Sequence, residues 1–244
     1  GMVAAMGVPL STPNEVAIHA VASRLREDGC VVTLSGEGAD ELFAGYEGPM
    51  RAAADFVAKR AQGAVLVGGG RFELESNAWA PPAMKELLLT PAAWEAAGRD
   101  EPLLAMYDAE FRRAAEEATG DEGANAVDAH LRFHRRVNLT GLLQRLDTAT
   151  MLASVEGRTP FADVAVAEFA EALPMRVKFA VGALVGAGGV EEEEVASART
   201  KIALREAFRG DLPGAIVDRP KASFPLPFQA WVGAHAGALR RSAF

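Results

Sequence analysis

The sequence predicts a mainly α protein with a partial α/β portion near its beginning, on three observations. Residues 12–46 read as helix, short β-branched run, glycine-rich turn and helix again, one αβα piece of an open sheet. Apolar residues make up 50% of the chain but aromatics only 7%, so the core is built mainly from Ala, Leu and Val, a composition suited to closely packed helices. Beyond residue 35 no further strand-like run stands out. Residues 1–50 are therefore expected to form the α/β portion. Residues 51–244 are expected to form a helical body packed with it as one domain.

Thr12-Pro13-Asn14-Glu15 has the form of a helix start, with Thr12 placed to cap, Pro13 suited to the first helical position and Glu15 able to bond back. Ile18, Val21 and Leu25 give one apolar stripe, and Asp28-Gly29 ends it. Cys30-Val31-Val32-Thr33-Leu34 reads as a buried strand, with Cys30 a small buried residue. Residues 51–67 read as Ala-rich helix, Gly68-Gly69-Gly70 as a flexible break, and residues 71–82 as a surface loop. Thr90-Pro91 repeats the cap-plus-proline start. Pro102 opens a helix to about Thr119, and Gly120-Asp121-Glu122-Gly123 separates it from the next. From Val127 to Ser154 the pattern is helical, with Leu139, Leu142, Leu143 and Leu146 facing the core and an interruption near Asn138. Residues 164–173 form a short helix ended by Leu173-Pro174. A further helix is expected over 196–209 after Glu191–Glu194, and a loop over 218–231; residues 182–189 carry no assignment.

The net charge of −8 makes nucleic acid and anionic membrane poor partners. A single cysteine excludes an intramolecular disulfide and a multi-cysteine zinc site. His130 and His134 are four apart on a helix but have no evident third ligand, so no zinc site is expected. There is no secretory signal and no apolar run of membrane-spanning length, which points to a cytoplasmic location. Gly1 ahead of Met2 reads as an extra residue before an initiator methionine, so the gene product is expected to start here.

Three places carry chemistry. In Ser35-Gly36-Glu37-Gly38-Ala39-Asp40-Glu41 two glycines allow a tight turn between a strand and a helix, the setting of anion-binding nests. Three carboxylates there suit a phosphate only with a metal between, which points to Mg²⁺ at Asp40 and leaves Glu37 to face a substrate amine. Around Asp147–Asp163, Asp147 shares a helix face with Met151 and Ser154 and is a candidate buried or cleft-edge carboxylate. Gly157 is a candidate left-handed cap, and Glu156 and Arg158 are placed to form an ion pair. In Arg219-Pro220-Lys221-Ala222-Ser223-Phe224-Pro225, a lysine braced by prolines is placed to neutralise a phosphate or a developing oxyanion.

The run Leu34–Tyr46 closely resembles the signature that follows a central strand in the synthetase domain of asparagine synthetases and the related β-lactam synthetases. Asp147 with Thr150-Met151 and Ser154–Asp163 resembles that family's second block. Lys201 with Leu204-Arg205, Leu212-Pro213 and Arg219–Pro227 resembles its C-terminal block. The resemblance implies a truncated adenine-nucleotide-alpha-hydrolase-like fold, in which residues 1–50 are a remnant of the nucleotide-binding portion. It implies an ATP-dependent carbon–nitrogen ligase that adenylates a small carboxylate with ATP and Mg²⁺ and lets an amine attack the acyl-adenylate. By resemblance, Ser35, Gly36, Gly38 and Asp40 face the cofactor, with Asp40 at the metal. Glu37 and Glu156 are catalytic carboxylates, and Lys221 contacts phosphate and stabilises acyl transfer.

The sequence also departs from that pattern. The family's upstream Ser-Gly-Gly-x-Asp-Ser pyrophosphate loop and its N-terminal glutaminase domain are not found in it. Ala44 and Ala162 stand where Gly and a larger apolar residue are more usual, and Gly157 replaces a bulkier residue. The expectation is a synthetase part incomplete alone, either completed by a separately encoded N-terminal half or a piece whose first half is missing from this sequence. The alternative is an inactive truncated homologue that serves as a binding or assembly module, with a homo-oligomer covering the open sheet edge.

Overall fold

The structure, a computed structural model, describes residues 2–7, 12, 14–78, 80–118, 122–181, 198–221, 227–235 and 237. Ahead of the glycine-rich turn lie α1 (Met2–Met6), α2 (Asn14–Glu27) and β1 (Val32–Leu34). Then come α3 (Ala39–Phe43), α4 (Glu47–Ala61), α5 (Gly69–Asn77), α6 (Pro82–Leu88), α7 (Pro91–Ala96) and α8 (Glu101–Glu117). α9 (Glu122–His134) and α10 (Thr140–Met151) flank a π-helical turn at Arg135–Leu139, which is the interruption expected near Asn138. They are followed by β2 (Glu156–Arg158), α11 (Val164–Ala172), β3 (Phe179–Val181), β4 (Ala198–Thr200), α12 (Ile202–Ala207), α13 (Gly214–Val217) and α14 (Phe228–Ala234). The fold is mainly α with a small α/β portion, as predicted.

The chain forms two compact units. The first consists of Gly1–Ser35, Leu142–Arg158 and Ala222–Phe244. In it β1 and β2 pair in parallel, with Val32 opposite Glu156, Thr33 opposite Gly157 and Leu34 opposite Arg158. Strands therefore do not end at residue 35: the Glu-Gly-Arg read as a helix terminus is the partner of β1. The left-handed residue after α10 is Ser154 (φ 57°), not Gly157. Gly157 is there for close approach, since a Cβ would lie 3.0 Å from Thr150 Oγ1 and 3.3 Å from Leu146 Cγ. The strand expected to be buried is not. Val31, Val32 and Leu34 are 56%, 40% and 71% exposed because, among the described residues, β1 pairs with a single three-residue strand, and Cys30 is exposed as well. Asp147 is also exposed; α10 buries Leu146, Ala149 and Thr150 instead.

The second unit consists of Gly36–Gly141 and Thr159–Lys221. Its core joins Ala44, Met50, Leu131, Met175 and Phe179, with a neighbouring group of Leu42, Phe43 and Ala170. The Thr90 side chain accepts from Ala93 N at 3.3 Å and Asp163 Oδ1 from Ala165 N at 2.9 Å, two caps that start α7 and α11. The Gly68-Gly69-Gly70 run is not a break, and residues 71–82 are not one loop. Gly68 precedes α5, in which a Cβ at Gly69 would overlap the Phe111 ring and one at Gly70 would lie 2.6 Å from Asp108 N. Those glycines let α5 lie close against α8. The helix expected over 196–209 is part strand, because β4 pairs antiparallel with β3, Phe179 opposite Thr200. In the first unit, α14 likewise occupies part of the expected 218–231 loop, since its prolines all precede it. Residues 182–197 and 222–226, which include Glu191–Glu194 and Ala222–Leu226, lie outside the described residues.

Candidate functional site

α3 is placed by its ends. Gly38, its N-cap, has φ 95°, and a Cβ there would lie 3.3 Å from Phe161 C and Ala162 N, so the turn requires glycine on two counts. At the other end Ala44 takes a left-handed φ of 56°, where glycine is the more comfortable residue. Asp40, the second residue of α3, is only partly exposed, and its carboxylate gathers two ammonium groups. Lys201 Nζ lies 2.8 Å from Oδ1 and Lys221 Nζ 2.6 Å from Oδ2.

Both lysines are held. Lys201 adopts a left-handed backbone (φ 51°) at the start of α12 and donates its N–H to Phe43 O at 3.1 Å, which fixes it to the end of α3. Lys221 lies 5.4 Å over the Tyr46 ring, a cation–π contact. Tyr46 donates its hydroxyl proton to the buried carboxylate of Glu41. A Cβ at Gly45 would overlap Asp40 Oδ1 and Lys201 Cε, so the absent side chain makes room for the pair.

The electrostatics follow from this geometry. Burial acts to raise the Asp40 carboxyl, but hydrogen bonds from Lys201 and Lys221 outweigh it and hold the group below its ordinary value. Burial pushes Glu41 up, against the Tyr46 hydrogen bond and with the Asp40 and Glu37 charges adding to the rise. Burial, followed by the Glu41 charge, pushes the Tyr46 hydroxyl far up, so Tyr46 acts as a donor. Set against the Asp40 carboxylate alone, two ammonium groups leave one positive charge and N–H donors to spare, with the Glu37 and Glu41 carboxylates close by. That arrangement can take the oxygens of a phosphate.

Of the residues marked in the sequence, Asp40 and Lys221 come together directly. Gly36, Glu37 and Gly38 form the turn just ahead of α3, with Glu37 half-buried. Ser35 and Glu156 belong to the first unit. There Ser35 N donates to Arg158 O at 2.8 Å, and Glu156 forms an exposed ion pair with Arg158 at 2.8 Å, the pairing expected from their spacing. Lys201, Gly45, Tyr46 and Glu41 stand in the runs read from the sequence but were given no role of their own. The scarcity of lysine was the available signal: of Lys59, Lys85, Lys178, Lys201 and Lys221, two converge on Asp40.

The chain is thus a mainly α protein with a short parallel strand pair and, soon after the first strand, a carboxylate braced by two lysines. The asparagine synthase family model matches residues 2–243, and the chain belongs to that family, with its nucleotide-alpha-hydrolase-like fold. A Mycobacterium tuberculosis (H37Rv) protein carrying the name of a glutamine-hydrolysing asparagine synthetase is 28% identical over 97% of this chain and 35% of its own length. Glutamine-hydrolysing asparagine synthetase 3 of Bacillus subtilis is 28% identical over 80% of this chain and 26% of its own length. Asparagine synthetase 1 of the same organism is 25% identical over 92% and 35%. The chain thus spans about a third of the length of the curated relatives it matches. No solved structure matches it. No helix among the described residues is long and apolar enough to cross a membrane.

Proposed function

We propose that this chain carries the phosphate-handling part of an ATP-dependent amide-forming synthetase, in which a carboxylate is adenylated and then attacked by an amine. The observation that carries the reading is the convergence of Lys201 and Lys221 on Asp40. In this reading the lysines bind phosphate oxygens and Asp40 sets their positions. Lys221 also places positive charge beside the oxyanion formed in acyl transfer. Glu37 faces the incoming amine, and Glu156 is the second catalytic carboxylate.

Each oxygen of Asp40 already meets an ammonium group, and no group of three His, Cys, Asp or Glu among the described residues is arranged to hold a metal. The donor set therefore fits a polyphosphate better than a bare divalent cation. Mg²⁺ would come here as the counter-ion of ATP or pyrophosphate, with Asp40 the residue to hold it, and would supply charge neutralisation.

Calorimetric titration with Mg-ATP and Mg-pyrophosphate tests this. Saturable binding of either, lost in Asp40→Ala and Lys221→Ala, is expected; binding that survives both substitutions refutes the assignment. The exposed Val31, Val32 and Leu34 favour a second reading, an assembly module whose β1 is covered by a separately encoded half or by a second copy. A stable homo-oligomer with no affinity for either phosphate ligand would favour that reading over the first.

A further inference from the structure

Helices α4, α8 and α9 of the second unit line an open pocket of about 700 Å³. Small side chains line it, among them Ala126 and the buried Ala129, with the exposed Ala61 and Ala115 at its edge. A space of several hundred cubic ångströms is the size of a small-molecule site.

Its walls are built. Phe56 and Phe111 meet the His130 ring edge-on, with centroids 5.7 and 4.8 Å away. His130 Nδ1 is hydrogen-bonded to the buried carboxylate of Glu73, which also lies 3.2 Å from His134 Nε2 and accepts from Asn77 Nδ2 at 2.6 Å. The imidazole is thereby locked into the wall. Two polar groups remain unused: Asn125 Oδ1 is buried without a hydrogen bond, and the exposed Arg60 has no ion-pair partner among the described residues. A purely apolar ligand would leave the Asn125 acceptor dry and unmatched, at the cost of an unsatisfied buried group.

We propose that this pocket binds a small apolar α-amino acid, with its side chain between Phe56 and Phe111, its ammonium donating to Asn125 Oδ1 and its carboxylate on Arg60. Such a molecule carries the apolar body, the donor and the anion together. The site is separate from the Asp40 pair, and the proposal does not depend on the synthetase reading.

Calorimetry of the full chain with L-phenylalanine and L-leucine, without nucleotide, tests it. One-site saturable binding is expected. Arg60→Gln should weaken it about tenfold or more, as loss of a charge-assisted hydrogen bond does. Ala126→Phe, which fills the space, should abolish it. 3-Phenylpropionate, which lacks the donor, and phenethylamine, which lacks the anion, should each bind at least about tenfold more weakly than L-phenylalanine. The proposal is overturned by the absence of saturation up to about 10 mM of either amino acid. It is equally overturned if Arg60→Gln, an exposed change that leaves the core intact, binds like the parent chain, or if the two analogues bind as well as the amino acid.

Discussion

Gly45→Ala puts the Asp40 site under direct strain. A Cβ there overlaps Asp40 Oδ1 and Lys201 Cε, two atoms of one ion pair. Gly45 does not occupy a left-handed φ, so its backbone tolerates alanine and the cost falls on the side chains. Both are flexible ends, and the expected response is that Lys201 swings off the carboxylate. A hydrogen bond to a charged group contributes about 1.5–3 kcal/mol. With Asp40 and Lys201 side chains 16% and 22% exposed, water replaces part of this, leaving a loss of about 1–2 kcal/mol. At about 2–4 °C per kcal/mol for a chain of this size, Tm should fall by ~2–8 °C. Pyrophosphate affinity should fall about tenfold, since one of two ammonium groups is displaced. Thermal and urea unfolding read the first effect, and calorimetry the second. Gly48→Ala is the control: a Cβ there meets nothing within 4 Å, on the first turn of α4. If Gly45→Ala matches that control in both stability and affinity, the tight packing around Asp40 is not what positions the lysines.

Other predictions follow from the same geometry. Burial acts to raise Glu73, but hydrogen bonds from His130 and His134 outweigh it and hold the carboxyl at about 2, against an ordinary 4.5. Its contribution to stability is therefore complete above about pH 4.5 and is lost as pH falls towards 2, up to ~3 kcal/mol. Urea midpoints measured across pH 5 to 2 should show that slope, and Glu73→Gln should flatten it; an unchanged slope argues against the buried triad. Gly70→Ala drives a Cβ against the Asp108 backbone, which cannot swing aside, and should cost about 1–3 kcal/mol by urea unfolding. Leu34→Lys, on an exposed strand, should change the stability of the isolated chain by no more than about 0.5 kcal/mol while reducing self-association in sedimentation. A loss above about 2 kcal/mol would show that Leu34 is packed in solution.

The parts of the fold legible in the sequence were those set by neighbouring residues. Thr90-Pro91 announced α7, Pro102 announced α8, and the irregularity near Asn138 proved to be a π-helical turn. What stayed hidden depended on distant partners. Glu156-Gly157-Arg158 is a strand only because Val32–Leu34 lies beside it, and three residues carry no period of their own. Gly69 and Gly70 looked like a break because the space they leave is filled by Phe111 and Asp108, about forty residues on. The site divides the same way. Asp40 and Lys221 were recognisable from their local motifs, whereas Lys201 acquires its place from a left-handed backbone and a bond to Phe43 that spacing does not encode.

The pairing of β1 with β2 also sets a timetable for synthesis. Val32 and Glu156 are about 120 residues apart, so at about 5–20 residues per second β1 leaves the ribosome roughly 6–25 s before its partner exists. Throughout that interval Val32, Thr33 and Leu34 lack the β2 strand that they pair with. Slowing translation between residues 36 and 155 should therefore lower the soluble yield of this protein.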